Sequence, residues 1–200
     1  MAAPGTTSER PEAAKVRASL PDALLKVKEQ YGDTVLCIQR NALRQVVTLL
    51  RDDPDLAYTY FSECLGVDYS QWEHERDLPE RFEVVYNLYS IKNRSRIFIK
   101  VGVDDGQKVP SLKPIFLGAD YPEREVWDLL GVVFEDNEQT QRFLTPDDWV
   151  GHPLRKEYPL GGEDVLFAQG EHGPAVEDQA MPHAGESFEG KTGTEDVSGR

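Results

Sequence analysis

A chain of 200 residues with 39% hydrophobic and 10% aromatic side chains suits one domain with tails. A formal net charge of −14 excludes a nucleic-acid partner, whose phosphates such a surface repels, and equally excludes direct adhesion to anionic lipid. No apolar run approaches the roughly 18 residues of a transmembrane helix, and the two cysteines, Cys37 and Cys64, form no Cys-x-x-Cys pair that would hold zinc or an iron–sulfur cluster.

Composition divides the chain into a flexible lead-in (1–20), a domain (21–160) and an acidic, glycine-rich tail (161–200). The lead-in is rich in Ala, Pro, Ser and charge, with Glu9, Arg10, Glu12, Lys15 and Arg17 breaking up any apolar stretch. It therefore does not read as a signal peptide, and the protein is expected to stay in the cytoplasm and reach a membrane only through partners. The domain opens with an expected amphipathic helix over 20–31, stopped by Gly32 and Asp33. A short strand follows at 34–39, and Asn41 is placed to cap a second helix with Leu43, Val46, Val47 and Leu50 on one face. The aromatics of 58–68 favour a strand. Residues 82–89 and 96–103 alternate around Lys92-Asn93-Arg94, a hairpin signal. The fold class expected is α+β, an antiparallel sheet with flanking helices, an extended C-terminal segment and an acidic disordered tail.

Asp120-Tyr121-Pro122-Glu123 has the form of a helix start, with Asp120 as cap, Glu123 answering it in a capping box and Pro122 in the first turn. That helix runs to Gly131 with Val126, Trp127 and Leu130 on one face. Arg124 and Asp128, four apart, are expected to pair on the other. Glu123, Arg124, Glu125 and Asp128 crowd barely two turns, which suits a solvated helix end, or else an interface or catalytic cluster. Gly151-His152-Pro153-Leu154-Arg155-Lys156 follows Thr145-Pro146-Asp147-Asp148-Trp149. Its prolines and glycine predict an extended run, either docked into a groove on another protein or strapped over the domain's own core. The tail carries half of the glycines, and 165–167 (VLF) is its only apolar anchor; such a composition reads as a solvated segment or an arm for a neighbour.

These two blocks, Glu123-Arg124-Glu125-Val126-Trp127-Asp128 with its continuation to Glu135, and Gly151 through Leu160, resemble the 30 kDa (C) subunit family of the proton-pumping NADH:quinone oxidoreductase, respiratory complex I. Upstream, 81–90 with 96–101 resembles the family's β-hairpin, and 109–116 (VPSLKPIF) its following helix; the likeness spans about 61–160. At 136–138 the family usually has Gly-His-Pro, then a basic pair; this chain has Asp136, Asn137 and Glu138, and keeps only Arg142 of the pair. The resemblance implies a non-redox structural subunit of the peripheral arm. FMN and iron–sulfur clusters lie in partner subunits and none in this chain, while electrons pass from NADH to quinone and drive proton translocation. It further implies packing against the D (49 kDa) and B subunits near the quinone site, on the cytoplasmic side of the cell membrane. Glu123, Arg124, Glu125, Asp128 and Gly151, His152, Pro153, Leu154, Arg155, Lys156 are the interface or structure-organising residues so implied. An equivalent subunit of a membrane-bound hydrogenase-type complex is one alternative. An independent enzyme using Glu123, Glu125, Asp128 and His152 as an acid/base or metal site is the other.

Overall fold

The computed structural model of the protein describes residues 10–137 and 141–158; the tail expected over 161–200 lies outside them. In chain order the elements are α1 (Pro11–Ser19), β1 (Leu24–Gln30), β2 (Asp33–Ile38), α2 (Leu43–Asp52), β3 (Tyr60–Asp68), β4 (Phe82–Ser90), β5 (Ser95–Val103), β6 (Lys108–Pro110), α3 (Asp120–Leu130) and β7 (Val133–Glu135). Five strands form one sheet in the order β1-β2-β5-β4-β3, while β6 and β7 make a small parallel pair. The expected α+β class with a mostly antiparallel sheet and flanking helices is what the chain adopts. One junction, β2 with β5, is parallel.

Strict alternation builds the hairpin at the sheet's centre. Phe82, Val84, Tyr86 and Leu88 on β4 and Ile97, Ile99, Val101 and Val103 on β5 all point to one face and are all buried. Against that face lie Ala13 and Val16 of α1, Leu43, Val46, Val47 and Leu50 of α2, and Val126 and Leu130 of α3. Gly66 of β3 lets α3 come close, since a Cβ there would collide with Leu130 Cδ1 and meet Val126 Cγ1 at 2.8 Å.

Four expectations are corrected. Residues 20–31 are not a helix: after a short 3-10 turn they form β1, paired with β2 through the two-residue loop Tyr31–Gly32. Both loop residues have positive φ, 52° and 90°, so Gly32 completes a tight hairpin turn rather than a helix end. Helix propensity is a weak prior, and the pairing of Val27 with Leu36 across the hairpin outweighs it. Residues 11–19 of the expected flexible lead-in form a packed helix. Its Glu12 accepts a hydrogen bond from the Tyr58 hydroxyl at 2.7 Å, and its Lys15 pairs with Asp53 and Asp55. Asn41 sits in a 3-10 turn ahead of α2, whose N-cap is Ala42 without a side-chain cap. The helix expected over 109–116 is instead β6 followed by a single turn in which Phe116 N–H reaches the Leu112 carbonyl, since Pro110 and Pro114 deny a longer helix its donors.

The sheet's other face is half covered by residues 69–81. Leu78 is buried there, and Asp77 is ringed by Lys26, Lys28 and Lys100. Those ammonium groups overcome the cost of burial and hold the Asp77 carboxyl down at about 2.

Candidate functional site

Two of the four acidic and basic residues singled out on α3 are buried. Glu123 is wholly inaccessible and is not a capping residue; Ala119 occupies the N-cap without any side-chain cap. Its two carboxylate oxygens accept four hydrogen bonds: from Tyr86 OH at 3.2 Å, Ser111 Oγ at 2.5 Å, Leu112 N–H at 2.7 Å and Asn137 Nδ2 at 3.0 Å. Burial nevertheless prevails over these donors and pushes the carboxyl above its ordinary value. Asn137, one of the departures from the family pattern, is buried and also donates to the Asp120 carbonyl at 3.2 Å. The altered position therefore carries a structural role that its sequence did not suggest.

Asp128 pairs not with Arg124 but with Arg142, fourteen residues on, whose Nη1 lies 2.8 Å from Oδ1. The same carboxylate accepts the backbone N–H groups of Phe143, Leu144 and Thr145 at 3.1, 2.7 and 2.9 Å and the Thr145 hydroxyl at 2.5 Å. Burial alone would raise this carboxyl. The Thr145 hydroxyl and N–H, Arg142 and the Leu144 N–H outweigh it and hold the group well below the usual carboxylate range. Arg142 goes on to the carbonyls of Trp149 and Gly151 at 2.9 and 3.0 Å, so a single side chain ties both ends of the 142–151 loop to α3. Arg124 lies over the Tyr121 ring at 5.5 Å and donates to the Gln141 carbonyl, while exposed Glu125 has no hydrogen bond or ion pair among the described residues.

The Gly151–Lys156 block is not extended. It folds in turns against the C-terminal end of α3: Leu154 N–H reaches the Leu129 carbonyl at 3.0 Å, and Arg155 Nε the Leu130 carbonyl at 2.7 Å. His152 Nδ1 lies 2.8 Å from the Asp128 carbonyl, which only accepts, so Nδ1 carries the proton. His152, Leu154 and Arg155 thus satisfy carbonyls that a helix terminus otherwise leaves unpaired. Gly131 makes room for this. Its φ of 77° turns the chain, and a Cβ there would meet the His152 ring at 2.6 Å and Arg155 Nη2 at 2.8 Å. Gly151, also at positive φ, turns the chain ahead of Pro153.

A second buried carboxylate fixes the far end of the segment. Asp68, closing β3, accepts Arg81 through Nη2 at 3.0 Å and Nε at 3.3 Å, and the N–H groups of Ser70 at 2.9 Å and Lys156 at 3.0 Å. Burial opposes its ionisation, but Arg81 and those two N–H groups hold it well below the usual range. Arg81 and Arg155 both lie over the Phe82 ring, at 4.6 and 5.2 Å, and both bind Asp105. Sequence reasoning did not find Asp68, Arg81, Asp105 or Thr145. Asp68, Arg81 and Asp105 are far from the segment in sequence and follow no helical or strand spacing, only Asp68's place at the end of an aromatic-rich strand hinting at it, while Thr145 stood out only as the start of the run before the segment.

Fixed in this way, α3 and the folded segment display apolar side chains to solvent: Tyr121, Phe143, Leu144, Val150 and Leu154 are all exposed, with the Tyr121 and Phe143 rings 5.4 Å apart. Such an assembly is suited to docking. The four residues weighed as an acid/base set do not converge on one place. Glu123 and Asp128 are consumed by separate donor sets, His152 Nδ1 is committed to a carbonyl, and Glu125 stands alone at the surface. No group of three His, Cys, Asp or Glu among the described residues is arranged to hold a metal ion. Cys37 and Cys64 are free and buried, and burial first, with Asp77 adding, pushes the Cys37 thiol up to about 11. Among the described residues no helix is long and apolar enough to cross a membrane.

Residues 36–164 match the family described as "Respiratory-chain NADH dehydrogenase, 30 Kd subunit". The chain is 46% identical over 154 residues to the C subunit of NADH-quinone oxidoreductase from Roseiflexus sp. (strain RS-1), covering 76% of this chain and 85% of that one. It is 40% identical over 147 residues to the corresponding protein of Brucella abortus (strain 2308), covering 74% and 70%. Among solved structures, the trypsin-resistant fragment (1-134) of Nqo5 superposes with a TM-score of 0.54 at 25% identity over 64% of this chain and 96% of that one. A chain of the membrane-bound sulfane sulfur reductase, an archaeal respiratory membrane complex, shares the fold, with a TM-score of 0.60 at 20% identity over 74% and 84%.

Proposed function

The chain belongs to the 30 kDa subunit family of the respiratory-chain NADH dehydrogenase, and from that premise we propose that it is a non-redox, structural subunit of the peripheral arm of NADH:quinone oxidoreductase. Its neighbours carry FMN and the iron–sulfur clusters that pass electrons from NADH to quinone, and this chain holds them in register as the complex translocates protons. It contributes no catalytic site and binds no cofactor of its own. The surface formed by α3 and residues 142–158 is its docking face, with the D (49 kDa) and B subunits as the partners closest to the quinone site. The complex lies at the cell membrane, with this protein peripheral and on the cytoplasmic side.

One observation carries this reading: two buried carboxylates, Asp128 and Asp68, accept nine hydrogen bonds, six of them from donors on the surface segment 142–158. The segment they fix leaves its apolar side chains uncovered. A rigid surface with exposed anchors is pre-organised for binding, because little ordering entropy remains to be lost on association. The equivalent role in a hydrogenase-type complex is less well supported, since the relatives at 40–46% identity belong to NADH-quinone oxidoreductases and the reductase likeness concerns fold alone.

The test is a pull-down of tagged full-length chain from gently solubilised membranes, scored for co-purifying subunits and NADH:quinone activity. Arg124→Ala and Arg155→Ala should each lower the yield of assembled complex while the isolated chains keep their fold by circular dichroism. Normal assembly of both variants sinks the docking face as assigned.

A further inference from the structure

The two edges of the main sheet are finished differently. At one edge, β1 carries Lys26 and Lys28, both held by Asp77, and a bulge between Leu24 and Lys26. Charge and a bulge are the usual guards against unwanted strand addition. At the other edge, β3 is paired with β4 only; among the described residues no strand lies on its outer side. Beyond the irregularity at Phe61/Glu63 its pairing with β4 is regular, from Glu63 to Asp68. Every second residue there turns its N–H and C=O away from β4.

What borders this open edge is apolar. On the face of the sheet turned away from α3, Tyr60 and Leu65 are about half exposed. On the helix side, Gly118 abuts the Phe61 ring, and beside it stand Leu117, 85% exposed, and Tyr121. The edge also runs directly into the docking face, because α3 packs upon β3. Two exposed carboxylates flank it, Glu63 on the strand and Glu125 on the helix. Glu63 shares the face of Leu65 and Glu125 belongs to α3 on the opposite face; neither has a hydrogen bond or ion pair among the described residues.

We infer that the outer edge of β3, over residues 63–67, is a strand-addition site for an extended segment of another protein of the complex. That segment places apolar side chains against Leu65 and Tyr60 on one face and Leu117 and Tyr121 on the other. It carries a lysine or arginine on the Leu65 face that reaches Glu63, and another on the helix face that reaches Glu125. Main-chain hydrogen bonds along the edge supply affinity, and the alternating side chains and the two carboxylates supply selectivity. This deepens the docking role proposed above and rests on it.

Hydrogen–deuterium exchange of the full chain, alone and within the purified complex, tests it. In the isolated chain the outward-facing amides of 63–67 should exchange rapidly; in the complex they should slow by about a hundredfold or more, while the β1 edge is unchanged. If the chain assembles but these amides exchange at the same rate, the strand addition is overturned and the docking face on α3 stands. If they are already slow in the isolated chain, the edge is not open and the inference falls. If the chain fails to assemble at all, both readings fall together. Leu65→Asp, at a position the isolated fold leaves half exposed, should reduce complex yield by about tenfold, and an undiminished yield overturns the inference.

Discussion

The β4–β5 hairpin and the 142–158 segment are held by opposite means. The hairpin buries eight alternating side chains in a shared cluster, so each contributes a modest, replaceable part. The segment contributes few buried apolar groups and depends instead on two carboxylates, each satisfying several donors. Burial of apolar surface is distributed and forgiving of a lost methyl group. A buried carboxylate concentrates its contribution, since removing it leaves its donors unpaired. The core is therefore expected to degrade gradually and the 142–158 segment to fail at single positions.

The largest effect should come from Asp128→Ala, which abandons Arg142, the Thr145 hydroxyl and three backbone N–H groups in a nearly dry setting. A cost of about 4 kcal/mol is expected by chemical denaturation, concentrated in the segment, with new proteolytic cuts between 142 and 158. Should the sheet unfold in step with the segment, the contrast between the two regions is wrong. Asp68→Asn should cost less, about 2 kcal/mol, because Arg81 keeps Asp105 and Glu157 as partners; loosening is then confined to the end near Lys156. Ile99→Val is the control from the other region, costing about 1 kcal/mol with no change in segment proteolysis.

Acid offers a route without mutation. Asp68 and Asp128 titrate below the ordinary carboxylate range in the folded state, so the open state binds protons first. Their stabilisation is complete above about pH 4 and is lost as pH falls towards the folded values. The protection of the 142–158 amides, relative to unstructured amides at the same pH, should thus fall on acidification before that of the amides of β4 and β5, and Asp128→Asn should flatten that dependence. The smallest signal is a null one. Cys64, beneath α3 with its thiol pushed up by burial, should resist thiol reagents both in the unaltered chain and in Asp128→Ala. Labelling in the variant means that opening reaches the core.

Elements whose own periodicity equals their burial pattern were legible in the sequence: α2, the β4–β5 hairpin and α3 up to Gly131; β2 stood out as a short apolar run, buried throughout. The family signature within α3 and 151–156 also stands out, because its blocks are contiguous. Strand β1 was not legible, since Leu20, Leu24 and Leu25 fit a helical face as well as an extended one. Only its partner β2, supplied by a tight turn with two positive-φ residues, decides between them. The roles of the acidic residues were equally hidden. Glu123, Glu125 and Asp128 are alike as letters on one helix, yet one is buried under four donors, one organises a loop fourteen residues away and one faces solvent. Hydrophobic periodicity is a local property of the chain, so sequence alone determined α2, the β4–β5 hairpin and α3 and which of their faces go inward. Hydrogen-bond satisfaction of a buried charge depends on groups brought from Ser111, Asn137, Arg142 and Lys156, and only the tertiary structure decided that.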